Sequence, residues 1–379
     1  MAREPDVPAE QNGPSHNWPD DPLLWPLAAT RLAMNACFWW MDREMAPPDR
    51  RGQSALAWTS PNTIELELAT FRLRNFSRKQ DGPAALICAP YALHRALIAD
   101  FATDHSIVEA LKRGGVDRLY LTDWHSASPD MRYLTIDNYL ADLNVAIDEV
   151  GPPLDLIGLC QGGWMSLIYA ARFPEKVRRL VLVGAPVDVS VESELSHMVA
   201  DAATGAFEGL VTSGGGLVRG ADLVRLWRAN PDMETVLQRS LPREDGDAQA
   251  LRERFAHWNA ETLDLPGVFY LEAVDKIFKE NRLAKGSFVA LGRELQLSKL
   301  TMPVFLLAGS NDEIVPQAQA MATASLLGTP PALIASDVAP CTHLGLFIGA
   351  TTLAVSWSRI AKWLSREEPA QISSRAASG

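Results

Sequence analysis

The stretch that most constrains this chain is 154–173, where the apolar run LDLIGL passes through Gly158-Leu159-Cys160-Gln161-Gly162-Gly163 into WMSLIYAARF. A strand-like run, a glycine-flanked reactive residue and a helical pattern in succession form a nucleophile elbow. Cysteine stands where the G-x-S-x-G pattern carries serine. So sharp a turn puts the reactive residue in a strained backbone conformation, and side chains at the flanking positions would collide with neighbouring elements. A helix N-terminus beneath the sulfur favours negative charge there. The competing reading is a glycine-rich turn with a buried, inert cysteine.

The rest of the chain supplies a sheet to hold such an elbow. Ala84–Ala89, Arg118–Thr122, Leu180–Val183 and Val304–Ala308 are further apolar runs, and Ile136–Val150 reads as a helix started by Thr135. Continuous apolar strands separated by helices mean a parallel sheet covered on both faces, so the fold class is α/β. Thr63–Phe76 alternates polar and apolar residues and reads as one half-exposed strand. The chain after Ala89 reads as helical through Leu111. From Val187 to Lys299 the strand runs stop and the pattern is helical, with a flexible break expected at Ser213–Gly216. The expected organisation is a disordered N-terminus (1–20), an N-terminal helical segment (21–60), an α/β core (61–186 and 300–366), a mostly helical cap inserted at 187–299, and a disordered tail (367–379).

Composition narrows the function. Lys and Arg total 35 against 46 Asp and Glu, a net charge of −11, which argues against a nucleic-acid partner. The four cysteines (Cys37, Cys88, Cys160, Cys341) are scattered without a CxxC pair, so neither a disulfide framework nor a zinc site is expected. No metal or other cofactor is expected. The polar, Pro-rich N-terminus lacks a signal-peptide core, which points to the cytoplasm. The most lipid-like stretch, Pro22–Met45, is broken by Arg31 and Asp42, and its uncharged run falls far short of the roughly 20 residues that span a bilayer. It reads as an amphipathic helix packing Phe38, Trp39 and Trp40 on the main domain, or docking them on an apolar surface.

A cysteine nucleophile needs an acid and a base, which follow it in that order in elbow enzymes. Asp312, in Gly309-Ser310-Asn311-Asp312-Glu313 after the run VFLLA, can reach over the sheet edge to orient a histidine. Asp188, after LVLVGAP, is the competing acid and a candidate for the pocket rim. Of the seven histidines, His343 alone lies in the right order and loop. Cys341, two residues before it, reads as packing. His94 and His125 also follow strands, and both are candidates for the pocket. An oxyanion hole needs two N–H groups aimed at the developing alkoxide. Gln161 should give one, and Tyr91, in the loop after Ala84–Ala89, the other.

GLCQGG with the YAARFPEKVRRLVLVGAPVD that follows, and KENRLAKG through LSKLTMPVFLLAGSNDEIVP, resemble the polyhydroxyalkanoate synthases that act with a second subunit. APYALH, LYLTDWHSA, DLPGVFYLEAVDKIF and the HLGLFIG loop resemble the intracellular polyhydroxybutyrate depolymerases. Both are α/β-hydrolases with cysteine nucleophiles, and the resemblance runs from about residue 63 to 365. It implies an α/β-hydrolase fold with an inserted cap, acting on (R)-3-hydroxyacyl coenzyme A or on a hydroxyalkanoate polyester. A second subunit, a homo-oligomer and a polymer-granule surface are the partners it suggests. Thiolate attack suits a thioester, because sulfur-for-sulfur exchange is nearly isoenergetic. Transfer to a chain-end hydroxyl would make polymer, and transfer to water would make the same site a hydrolase. A catalytically silent granule-binding protein is the third reading.

Overall fold

The computed structural model describes residues 56–191, 193–202, 205–228 and 246–366. The expectations for the first 55 residues, including the helix carrying Phe38, Trp39 and Trp40, and for the tail 367–379 lie outside the described residues. Residues 56–62 hold no regular element.

Strands β1 (Thr63–Glu67), β2 (Phe71–Asn75) and β3 (Ala84–Cys88) come first, followed by a short ribbon of β4 (Asp100–Ala102) and β5 (His105–Ser106). β6 (Arg118–Trp124), β7 (Leu154–Leu159) and β8 (Val177–Val183) complete the first half of the main sheet. Two small ribbons follow, β9 (Leu217–Val218) with β10 (Leu265–Pro266) and β11 (Val289–Ala290) with β12 (Arg293–Glu294). β13 (Val304–Gly309) and β14 (Ile334–Ala339) close the chain's strand order. The main sheet has eight strands in the order β1-β2-β6-β3-β7-β8-β13-β14. It is parallel from β6 to β14, and antiparallel at β1, β2 and the β2–β6 pair. The chain leaves β3 for β6 on one side and then crosses to β7 on the other. The loops after β3 and β7 therefore open into the crevice at the strands' carboxyl ends, where open α/β sheets bind ligands.

Helices α1 (Ile107–Arg113), α2 (Ile136–Val150) and α3 (Gln161–Arg172) lie in this half. α2 starts where Thr135 accepts the Asn138 N–H, and its buried positions Ile136, Tyr139, Leu140, Leu143 and Ile147 follow the three–four spacing of one helical face. β7 and the middle of α3 are wholly buried, because the elbow sits at the centre of the sheet. Between β8 and β13 come α4 (Glu194–Asp201), α5 (Ala206–Ser213), α6 (Gly220–Arg228), α7 (Gly246–Ala260) and α8 (Gly267–Glu272), the last continued by a π-helical turn, Ala273–Lys279. α9 (Gln317–Leu326) and α10 (Ser358–Leu364) belong to the C-terminal part.

Several sequence readings need correction. Thr63–Phe76 is a hairpin rather than one strand, with Leu66 opposite Leu73. The alternation runs on through the reversal, and its turn, Leu68-Ala69-Thr70, has neither Gly nor Pro to mark it. The stretch expected to be helical through Leu111 is interrupted by the β4–β5 ribbon. Among its described residues, the segment between β8 and β13 also contains four short strands. Ser213–Gly216 is a tight turn from α5 into β9, closed by the Gly214 N–H on Leu210 and the Gly216 N–H on Val211, rather than a loose break.

The elbow has no room to spare. A Cβ at Gly162 would lie 2.1 Å from the Cys88 carbonyl oxygen, and one at Gly158 would lie 2.5 Å from the Gly163 Cα. Gly162→Ala must therefore push α3 off β3. Urea denaturation should show a loss of about 1–3 kcal/mol, the usual cost of overpacking. Unchanged stability would mean that the two elements separate freely.

Candidate active site

Cys160 sits between β7 and α3 with φ 48° and ψ −116°, a left-handed conformation that a non-glycine residue adopts only when its surroundings enforce it. Its N–H is tied to Val183 at 2.8 Å, and its carbonyl takes the Gly163 N–H at 2.8 Å. Those two bonds span the end of β8 and the first turn of α3, and they aim the sulfur into the crevice. α3 begins at Gln161, so the helix's positive end lies directly under Cys160.

His343 comes from the loop after β14 and is buried. Its Nδ1 lies 2.7 Å from Asp312 Oδ2. The other carboxylate oxygen, Oδ1, accepts the Ile314 N–H at 3.0 Å and the Val315 N–H at 2.9 Å. Asp312 is thus locked by backbone donors on one side and by imidazole on the other. Cys160 lines the same cavity as His343. Phe347 sets its ring against the imidazole, with centroids 5.3 Å apart. Burial works to lower the histidine's pKa, but the Asp312 carboxylate, and after it Cys160, hold it well above its ordinary value. This linear arrangement can hold a proton on the ring beside the sulfur, pass it to a leaving group and take another from an acceptor.

Asp188 is not at the histidine. It accepts from the Ser190 N–H (3.0 Å), the Ser190 hydroxyl (2.6 Å) and Asn281 Nδ2 (2.8 Å). Burial works to raise its carboxyl, and these hydrogen bonds outweigh it and hold the group below the usual carboxylate range. Nor does Asp188 line the cavity over Cys160, where the sequence had offered it as a candidate. It fastens the loop after β8 to the segment that follows the π-helical turn. The physical reason is local: a serine two residues on and an asparagine from the insertion satisfy it first.

The loop after β3 is held from several sides. Trp124 Nε1 donates to the Ala89 carbonyl at 2.7 Å, and the Ala89 N–H donates to the Thr122 hydroxyl at 3.0 Å. The Tyr139 hydroxyl donates to the Tyr91 hydroxyl at 3.0 Å, and the latter donates to the Asp264 carbonyl at 3.2 Å. Trp124, Thr122 and Tyr139 were not singled out from the sequence. A tryptophan closing the strand LYLTDW was the only signal for them. The Gln161 N–H, in the first turn of α3, has no acceptor within the helix. The Tyr91 amide differs from the sequence expectation: it donates to Oε1 of the Gln161 side chain. The Tyr91 N–H is therefore engaged by a side chain rather than left open to the cavity.

His94 lines the cavity, with its ring 4.5 Å from Trp258 and Nδ1 3.4 Å from the Glu261 carbonyl. His125 lies outside the cavity lining, paired with Glu67 at 3.2 Å. Cys88 is fully buried and its thiol is pushed up to about 12, while burial also raises Cys341. Among the described residues no His, Cys, Asp or Glu cluster could hold a metal ion. No helix among them is long and apolar enough to cross a membrane.

The family described as PHB de-polymerase C-terminus matches residues 228–366. The chain is 29% identical to the poly(3-hydroxyalkanoate) polymerase subunit PhaC of a Synechocystis species, over 73% of this chain and 77% of that one. It is 24% identical to the subunit of the same name from Haloferax mediterranei, over 85% of this chain and 68% of the relative. Among solved structures, the monoacylglycerol lipase of Paleococcus ferrophilus superposes with a TM-score of 0.51 at 17% identity, over 78% of this chain and 98% of that one. That last likeness speaks to the α/β-hydrolase fold alone. Over most of its length the chain is similar to these polymerase subunits, and over residues 228–366 to the polyhydroxybutyrate depolymerases.

Proposed function

We propose that this enzyme transfers acyl groups through a covalent intermediate on Cys160, taking (R)-3-hydroxyacyl coenzyme A as donor and a chain-end hydroxyl as acceptor, as in polyhydroxyalkanoate synthesis. The observation that carries this reading is the His343 ring, paired with Asp312, lining one apolar cavity together with Cys160. The Cys160 sulfur attacks the thioester carbonyl, forming a new C–S bond as His343 holds the cysteine's proton. The coenzyme A sulfur leaves and takes that proton. The acceptor hydroxyl then attacks the acyl-cysteine and gives its proton to His343. The bond to Cys160 breaks, and the proton returns to the sulfur. The Gln161 N–H, joined by Tyr91 once the Gln161 side chain yields, would stabilise the alkoxide in both steps. No cofactor takes part in this cycle.

Hydrolysis is the second reading, favoured by the depolymerase-type match over residues 228–366. It uses the same residues with water as acceptor. A catalytically silent granule-binding protein has no use for the buried imidazole–carboxylate pair. Incubating the protein with (R)-3-hydroxyacyl coenzyme A esters, and separately with amorphous polymer, separates the three. Thiol release with polymer growth selects synthesis, soluble hydroxy acid from polymer selects hydrolysis, and neither product selects the silent reading.

Cys160→Ala should abolish turnover without unfolding the chain, and retention of even a few per cent of activity would remove Cys160 from its role. Cys160→Ser should also fall far below wild type, because a hydroxyl needs stronger base assistance than a thiol. Iodoacetamide should label Cys160 ahead of Cys88 and Cys341, whose thiols burial holds in the protonated form. Peptide mapping that finds Cys341 labelled first would contradict this.

Asp312→Asn should lower kcat by at least about a hundredfold with little change in KM, as losses at such carboxylates do. Asp188→Asn should lose much less, because its partners are Ser190 and Asn281. The pH dependence has a definite sign. The Asp312 carboxylate raises His343 while burial lowers it, so Asp312→Asn should move the ring's titration midpoint to lower pH. An NMR titration of the His343 ring reads this directly, and an unmoved midpoint would deny the pairing.

A further inference from the structure

β8 runs out through Val183-Gly184-Ala185, and each of these residues meets a different neighbour of the site. The Val183 carbonyl takes the Cys160 N–H at 2.8 Å. The Gly184 N–H donates to the Leu307 carbonyl of β13 at 2.9 Å. Ala185 packs closely on α3, where a Cβ at Gly163 would lie 2.4 Å from the Ala185 Cβ. The strand end is thereby held by β13, by the elbow and by the helix after it.

Gly184 has a φ of 53°, and a side chain there would meet the imidazole. Its Cβ would lie 3.2 Å from His343 Cε1, 3.4 Å from His343 Nδ1 and 2.9 Å from Leu346 Cδ1. One edge of the ring, Cε1–Nδ1, therefore stands against the glycine. Nδ1 is also the atom that meets Asp312 at 2.7 Å. The ring has little room to retreat. It is buried, Phe347 packs against it, and Asp312 is held by the Ile314 and Val315 N–H groups. In so closely packed a place, a push of even a few tenths of an ångström is taken up by the bond to Asp312 or by the ring's position in the cavity.

We infer that Gly184 is a positioning residue: the hydrogen it carries in place of a side chain is the seat for the Cε1–Nδ1 edge of His343. Val183 beside it holds the Cys160 amide, so one strand end sets the place of both nucleophile and base. The inference rests on the reading of His343 as the group that holds and returns the proton.

Gly184→Ala puts one methyl group into this seat. With (R)-3-hydroxybutyryl coenzyme A, kcat should fall by at least about tenfold, because small misplacements of a reacting group are costly. KM should change by less than about twofold. The titratable groups acting on the ring among the described residues are Asp312, Cys160 and Cys341. Contact with the Asp312 carboxylate is what the methyl group loosens, so the ring's NMR titration midpoint should move to lower pH. Gly286→Ala is the control. Gly286 has a φ of 68° with nothing within 4 Å of its Cβ, so alanine there adds the backbone strain without the push. That variant should keep both kcat and midpoint. Adding Leu346→Val to Gly184→Ala removes the Cδ1 contact and should leave the defect in place. Recovery in the double variant would assign the defect to Leu346 and overturn the inference, as would an unchanged kcat and midpoint in Gly184→Ala. The wild-type protein offers a reading that needs no variant to fold: a nuclear Overhauser contact between Gly184 Hα and His343 Hε1, whose absence also overturns it. Wild-type kcat in His343→Ala would overturn the proton-carrier reading instead, while the Overhauser contact and the midpoint shift would still uphold the seat.

Discussion

The close approach of α3 to the end of β3 is the constraint on which the site depends. With the Cys88 carbonyl 2.1 Å from where a Gly162 Cβ would be, the first turn of the helix is pressed against the sheet. The chain can make that approach only by reversing sharply at Cys160, whose φ of 48° is the visible cost. The same reversal lifts the sulfur clear of the strand and leaves the helix N-terminus beneath it. Position, exposure to the crevice and a favourable dipole thus all follow from one packing contact.

The partners are fixed by different means. Asp312 is held by two backbone N–H groups before it meets the histidine, so its second oxygen has one direction left to face. His343 lies on a loop, yet it is buried, with Phe347 against its ring and Asp312 and Cys160 on either side. Removing water from this line strengthens each interaction within it. The histidine's raised pKa follows from the carboxylate overcoming the burial that opposes it.

The insertion is tied to the same region. The Leu263 N–H donates to Leu93, the Ala127 N–H donates to Asp264, and an Asp264 oxygen takes the Gly220 N–H. Tyr91 reaches the Asp264 carbonyl through its hydroxyl while its amide is engaged by Gln161. The loop that would supply an oxyanion donor is therefore also the loop on which the insertion rests.

The α/β class, the elbow at Cys160, the start of α2 at Thr135 and the order that picked out His343 were all legible along the chain. These are local matters: apolar runs, a cap residue, glycines at fixed offsets and the sequence of loops along the chain. The sequence favoured Asp312 without excluding Asp188, because both follow a strand and precede the histidine. Only the tertiary structure did so, by giving Asp188 to Ser190 and Asn281 and leaving Asp312 beside the imidazole. The hairpin at Glu67–Phe71 was hidden because strand alternation has the same period on both sides of a turn. The engagement of the Tyr91 amide by Gln161 joins residues 70 positions apart and depends on a side-chain orientation that no local pattern encodes. The buried cluster of Val199, Phe207 and Val274 is likewise a product of packing, since these residues meet only when three helical pieces of the insertion converge.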